Sequence, residues 1–257
     1  METLFAESPD HIQIAYDHLG SGPAVVLLHG GGGRRQDWHE VGYVQRLKEE
    51  FTVITIDLRG HGESDQPTDP FDYSISKMCQ DILAVVDACK FKRFFLWGMS
   101  FGGKVSRYIA VQSGRVEKLV LMSTQLGPGV SGRLRQQAIE FRDHWPAILE
   151  SLDNGSVEFA SLPPEDQDVL QRLNVPVLLA WVQAMLAWPR TDPQDFPCPT
   201  LWLVGSEDQD AMASVNEYKK SLQDSLIDLH IIDGLEHDQV FEAIDTVLPL
   251  MREFTAS

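Results

Sequence analysis

Cysteine is scarce in this 257-residue chain, which has only Cys79, Cys89 and Cys198. An odd, widely spaced set fits neither a disulfide framework nor a metal-binding pattern. Cys79 and Cys89 fall within one predicted helix, too far apart along it to pair, so free thiols in a reducing compartment are expected. Basic residues are also few: 21 Lys and Arg stand against 38 Asp and Glu, for a formal net charge of −17. Such a surface repels phosphate backbones and anionic membranes, so neither nucleic acid nor membrane is expected as a partner. Long hydrophobic runs are missing too. The longest apolar stretch, Val175 to Trp188, is shorter than a membrane span and holds Pro176 and Gln183. The first ten residues lack a basic segment followed by an apolar run, which predicts no signal peptide and a cytoplasmic protein. Asn154-Gly155-Ser156 is then a glycosylation acceptor in form only. The histidines show no H-E-x-x-H spacing, so no metal and no cofactor are expected. Neither an internal repeat nor a low-complexity tract is present.

What the chain does have is 43% hydrophobic residues arranged in short runs. Ile12, Ile14 and Tyr16 alternate with polar neighbours, as in a half-buried strand, and Leu4-Phe5 can pair back across the turn Ser8-Pro9-Asp10. Ala24–Leu28 is apolar throughout, as expected of a strand covered on both faces. Similar runs follow at Phe51–Ile56, Phe94–Trp97, Lys118–Met122, Thr200–Val204 and Leu229–Ile232. Helical spacing lies between them: Ile75, Met78, Ile82, Val85 and Cys89 behind an N-cap at Ser74, then Val105, Ile109 and Gln112. One last helix is predicted over Val240, Phe241, Ile244, Leu248 and Met251. Strands alternating with helices predict a mostly parallel sheet wrapped on both faces. Residues 125–196 break the rhythm. No convincing strand occurs there, Leu134 to Trp145 is spaced as a helix that Pro146 should interrupt, and Pro163-Pro164 is a break. A helical cap over the carboxyl edge of the sheet is expected from 125–196, inserted in a core made of 1–124 and 197–257.

Gly98-Met99-Ser100-Phe101-Gly102-Gly103 follows a strand and opens a helix. In that context G-x-S-x-G is a nucleophile elbow: Ser100 sits on a strained turn with its hydroxyl pushed outward, and the helix amides face a developing oxyanion. The same stretch nearly spells a phosphate-binding loop, Gly98-x-x-x-x-Gly103-Lys104. Val105 stands where that loop needs Ser or Thr to hold magnesium, which excludes an NTPase. At the end of the first long strand lies His29-Gly30-Gly31-Gly32-Gly33. A glycine run lets backbone amides approach a substrate, and its position suits the other half of an oxyanion hole, opposite the Phe101 amide. It lacks the spacing of a dinucleotide-binding turn.

Taken in order, His29 to Gly33, Asp57-Leu58-Arg59-Gly60-His61-Gly62-Glu63-Ser64, Gly98 to Gly103, Gly205-Ser206-Glu207-Asp208 and His237 resemble the α/β-hydrolase superfamily over nearly the whole chain. The resemblance implies an eight-stranded, mostly parallel sheet, a cap after the sixth strand, and a triad of Ser100, Asp208 and His237. Asp208 is the position the family's G-x-x-D pattern selects, with Asp210 and Glu207 as rivals. The family's oxyanion hole maps onto the amides of Gly31 and Phe101, with Gly32 as a substitute for Gly31. Arg59 and His61 are expected to fix the loop rather than take part in chemistry.

Ser100 argues against relatives whose nucleophile is aspartate, the haloalkane dehalogenases and epoxide hydrolases. The glycine run and nearby Trp38 resemble C–C bond hydrolases of ring-cleavage products, but Asp238 stands where those enzymes usually carry Trp. Trp181, Met185 and Trp188 recur at helical spacing in an apolar segment, either as cap core or as substrate-binding residues. A small ester or lactone with an apolar acyl or alkyl part is therefore the expected substrate. A receptor-type relative with little turnover is the contrasting class, disfavoured by the complete set of triad and oxyanion residues.

Overall fold

The computed structural model describes residues 2–256. Strands β1 (Leu4–Glu7) and β2 (Gln13–Gly20) form an antiparallel hairpin. Strand β3 (Ala24–Leu28) leads through α1 (Gln36–Glu40) and α2 (Tyr43–Leu47) to β4 (Thr52–Ile56). Helix α3 (Ile75–Ala88), β5 (Phe94–Met99), α4 (Ser100–Ser113) and β6 (Val116–Met122) follow. Helices α5 (Gly132–Asp153), α6 (Pro164–Arg172) and α7 (Val175–Leu186) come next, before β7 (Thr200–Gly205). The chain closes with α8 (Gln209–Tyr218), β8 (Ile227–Ile232), α9 (His237–Glu242) and α10 (Ile244–Ala256).

The eight strands make one sheet in the order β1-β2-β4-β3-β5-β6-β7-β8, parallel from β4 onward. Side chains alternate across it, as the pleat requires. Val25, Leu27, Trp97, Val120, Met122 and Leu203 join Trp38, Tyr43 and the α10 residues Val247, Leu248 and Met251 on one face. Val26, Leu28, Leu96, Leu119, Leu121 and Val204 meet α3, α4 and α8 on the other. Both faces are covered, which is why the parallel strands read as unbroken apolar runs. Trp38 is wholly buried against Tyr43, Trp97 and Phe241.

Three local expectations are corrected. Helix α5 runs through Pro146 without a break. A proline removes one amide and frees the carbonyl four residues back, here that of Arg142, and Pro146 lies on the exposed face where water can take that bond. The single closing helix is two helices broken at Ala243. The break sets Phe241 against Trp38 and Tyr43 while Ile244, Val247 and Met251 stay on the sheet. Ser74 stands at the N-cap of α3 but makes no capping bond, and Asp69 instead caps the short turn before it.

Residues between β6 and β7 hold α5, α6 and α7 and add no strand to the sheet. An isolated antiparallel bridge between Gly127 and Thr191 ties the two ends of this segment together. Helix α7 packs on α5 and on the turn Pro70–Tyr73. No single helix among the described residues is long and apolar enough to cross a membrane.

Candidate active site

Strand β5 ends at Met99 and α4 begins on Ser100 itself, whose φ of 48° is unusual for a residue with a side chain. The surrounding glycines explain how that turn fits. A Cβ on Gly98 would lie 2.6 Å from the Gly102 carbonyl, one on Gly102 would lie 2.5 Å from the His29 carbonyl, and one on Gly103 would collide with the Thr124 hydroxyl. The Gly102 amide donates to the His29 carbonyl at 3.0 Å, pinning the elbow to the glycine-rich loop. The Phe101 amide lies in the first turn of α4, where no intrahelical acceptor exists.

The glycine-rich loop turns tightly, with the Gly33 amide bonded to the Gly30 carbonyl at 3.1 Å. Gly32 takes φ 75°, so glycine is favoured there although space around it is open. His29 braces the turn. Its Nδ1 donates to the Gly30 carbonyl at 2.7 Å and its Nε2 accepts from the Leu58 amide at 3.0 Å. Burial pushes this imidazole down to about 4, so the neutral ring holds both bonds.

His237, at the start of α9, lies between two groups. Its Nε2 is 2.8 Å from Ser100 Oγ, and its Nδ1 is 2.7 Å from Asp208 Oδ2. Asp208 is the N-cap of α8, its Oδ1 accepting from the Ala211 amide at 3.0 Å. Burial opposes ionisation of Asp208, but the His237 and Ala211 hydrogen bonds outweigh it and hold the carboxyl below its ordinary value. His237 shows the mirror effect. Burial disfavours its charged ring, yet Asp208 raises it above the ordinary histidine value. The rival carboxylates are elsewhere: Asp210 pairs with Arg133 at 2.6 Å, and Glu207 is exposed.

Sequence reasoning missed the three residues that follow β6. Ser123 donates to the His237 carbonyl at 2.8 Å. The Thr124 hydroxyl lies 2.9 Å from the Ser100 carbonyl and 3.1 Å from that of Met122. Gln125 Oε1 accepts from Lys104 Nζ at 3.1 Å.

A cavity of about 300 Å³ opens beside Ser100, with Gly31, Phe101 and Lys104 in its wall. Leu134, Ala138, Phe141, Trp181, Val182 and Met185 make the rest of the lining mostly apolar, with Gln137 a polar side chain among them. Trp181 packs on Phe101 at 4.8 Å and also faces an outer cavity of about 440 Å³ that includes Gly32, His61 and Leu173. Gly31 thus borders both spaces, while Gly32 lines the outer cavity and not the Ser100 chamber. Trp188 does not belong with Trp181 and Met185. It is buried behind Phe101, and its indole N–H is committed to the Tyr73 carbonyl at 3.0 Å, so it is a packing residue rather than a wall of the chamber.

The loop after β4 is held by charge. Buried Arg59 donates to both oxygens of Asp81 at 2.7 and 2.9 Å, to both oxygens of Asp10 and to the Asp72 carbonyl. His61 packs 5.0 Å from His29, and burial together with that neighbour lowers it to about 4. Asp57 receives the amides of Arg35 and Glu63 and the Arg35 guanidinium.

A family model described as the alpha/beta hydrolase fold matches residues 23–242, and the chain belongs to that family. Among curated relatives, an uncharacterised protein of Mycobacterium tuberculosis is 39% identical over 152 residues, covering 58% of this chain and 39% of its own length. The chain therefore matches well under two thirds of that relative. Among solved structures, a carboxylesterase of Nitrososphaera gargensis superposes with a TM-score of 0.77 at 20% identity, covering 98% of both chains. An enol-lactonase of Burkholderia xenovorans LB400 superposes with a TM-score of 0.74 at 22% identity, covering 99% of this chain and all of the other. At such identities the likeness is one of fold.

Proposed function

We propose that this protein is a serine hydrolase that cleaves a small, largely apolar carboxylic ester or lactone through an acyl-enzyme. The observation that carries this reading is the hydrogen-bonded chain from Ser100 Oγ through His237 to Asp208. In this reading His237 Nε2 takes the Ser100 proton as Oγ attacks the carbonyl carbon. Asp208 holds the proton on Nδ1, which fixes the useful tautomer and stabilises the imidazolium. The amides of Gly31 and Phe101 receive the oxyanion of the tetrahedral intermediate. His237 then gives its proton to the leaving oxygen, and water repeats the sequence in reverse. The cleft of about 460 Å³ that joins Ser100 and His237 to Glu207 and Asp210 supplies a polar route for that water.

Substrate size follows from the chamber, whose apolar wall suits a short acyl chain. Residues 125–196 act as the cap over Ser100 in this scheme, with 1–124 and 197–257 as the hydrolase core. Trp181 and Met185 are the cap's substrate-binding residues. The test is labelling with a fluorophosphonate probe beside Ser100→Ala and His237→Ala, with p-nitrophenyl esters of rising chain length in the same preparations. Labelling and turnover should vanish in both variants. A folded wild-type protein that takes no label would remove the catalytic reading and favour a ligand-binding role.

A further inference from the structure

Lys104 is the residue that neither the fold nor the Ser100 chemistry uses. It lies one helical turn beyond Ser100 on α4, about 6 Å along the axis, and so shares that face of the helix. It borders the Ser100 chamber and is only 6% exposed. An ammonium carries three donors. The Lys104 Nζ has one hydrogen-bond partner among the described residues, Gln125 Oε1 at 3.1 Å. Gln125 is turned this way because its Nε2 lies 3.4 Å from the Asp210 carbonyl. The nearby carboxylates are already engaged: Asp210 with Arg133, and Asp208 with His237 and the Ala211 amide. No carboxylate among the described residues forms an ion pair with Lys104. A buried cation with unfilled donors is costly unless something pairs with it.

From this geometry we infer that Lys104 anchors a carboxylate carried on the acyl part of the substrate, so that the preferred substrates are half-esters of short dicarboxylic acids or the corresponding carboxylated lactones. The inference deepens the serine-hydrolase reading and rests on it for the direction of the acyl chain. An acyl group on Ser100 Oγ would run past the apolar wall formed by Leu134, Ala138 and Phe141 and bring its far end to Nζ. One monoanion matches one ammonium. A phosphate dianion would leave a second charge unpaired in an apolar chamber. Burial and Arg107 lower the Lys104 amine to about 7 against the pull of Asp210 and Asp208, so a bound carboxylate would hold the proton on it. The expectation of a largely apolar substrate is revised at this one point, the far end of the acyl part.

Two measurements test the anchor. The first compares p-nitrophenyl hemiglutarate with p-nitrophenyl pentanoate, esters of similar length that differ in the terminal charge. The wild-type protein should prefer the hemiester, and Lys104→Met should lower the ratio of the two kcat/KM values by about 10- to 100-fold. Lys104→Gln serves as a second variant, with thermal melting of both as the check on folding. The second uses calorimetry on Ser100→Ala. It should bind monomethyl glutarate, bind dimethyl glutarate more weakly, and lose the difference when Lys104→Met is added. A wild-type preference for the pentanoate, a proportional loss on both esters, or binding of inorganic phosphate in place of the hemiester would each overturn the anchor. If neither ester is turned over, the hydrolase reading fails by itself, and the calorimetric comparison still decides the anchor.

Discussion

The hydroxyl of Ser123 donates to the main-chain carbonyl of His237 at 2.8 Å, joining the end of β6 to the start of α9. Ser123 is buried, and its backbone sits at φ 46°, in the left-handed region. Removing the hydroxyl leaves a carbonyl without its partner and loosens the ring that bridges Ser100 and Asp208. Ser123→Ala should melt lower by the equivalent of about 1 kcal/mol. It should also lose about tenfold in kcat through misplacement of the base, with KM little changed. Parallel measurement of melting and of ester turnover checks this. Full turnover at a lowered melting temperature would make the bond structural only.

The pH profile follows from the Asp208–His237 pair. In the proposed mechanism turnover needs the neutral imidazole of His237, whose proton Asp208 holds above the ordinary value of 6.5 despite burial. The acidic limb of kcat/KM should therefore have its midpoint above 6.5, with activity rising as pH rises through it. Asp208→Asn removes the raising partner and leaves burial, so the midpoint should move to lower pH. The rate should fall on the order of 10⁴-fold because the tautomer is no longer held. Lys104 titrates close by, at about 7, so the profile should be repeated in Lys104→Met. A limb that stays in place in Asp208→Asn but moves in Lys104→Met would assign it to the amine.

Most of the sheet was legible because its strands are buried on both faces, which makes them short unbroken apolar runs such as Ala24–Leu28 and Thr200–Gly205. The candidate residues Ser100, Asp208 and His237 were legible because each follows a strand and stands at the start of a helix, in the order that the α/β-hydrolase resemblance implies. The misses have physical causes. Pro146 marks a helix end only where the freed carbonyl cannot reach water, and on the exposed side of α5 it can. The helix break at Ala243 answers to packing on Trp38 and Tyr43, residues from the other end of the chain. Ser123, Thr124 and Gln125 carry no pattern of their own, and only the adjacency of β6 to β5 and β7 gives each a partner. Lys104 was read as part of a failed phosphate loop. Its real neighbours are set by which face of α4 meets the chamber.

Gly103 tests how tightly the elbow is packed. A methyl group there would fall on the Thr124 hydroxyl, which also contacts the Ser100 carbonyl. Gly103→Ala should cost about 1–3 kcal/mol in urea unfolding as neighbouring groups are forced apart. Adding Thr124→Ala removes the nearest clashing atom, so the double variant should lose less than the sum of the two single losses. Strict additivity would place the strain of Gly103→Ala elsewhere, for instance at the Gly98 carbonyl 3.0 Å away.

Trp181 is the partition between the Ser100 chamber and the outer cavity, and its ring is braced by Phe101 at 4.8 Å and His61 at 6.1 Å. Replacing it with alanine should merge the two spaces without touching Ser100, Asp208 or His237. A chain too long for the inner chamber could then extend toward Leu173 and Leu178, which line the outer cavity. Each methylene that gains an apolar contact contributes about 1 kcal/mol. Trp181→Ala should therefore shift the optimum of p-nitrophenyl esters toward longer acyl chains, raising octanoate over butyrate by about tenfold or more relative to wild type. Fluorophosphonate labelling should persist, since the hydrogen-bonded chain is intact. If labelling persists and the chain-length profile stays where it was, the acyl group does not run toward Trp181. It would then lie on the other side of Ser100, in the polar cleft beside Arg133 and Asp210.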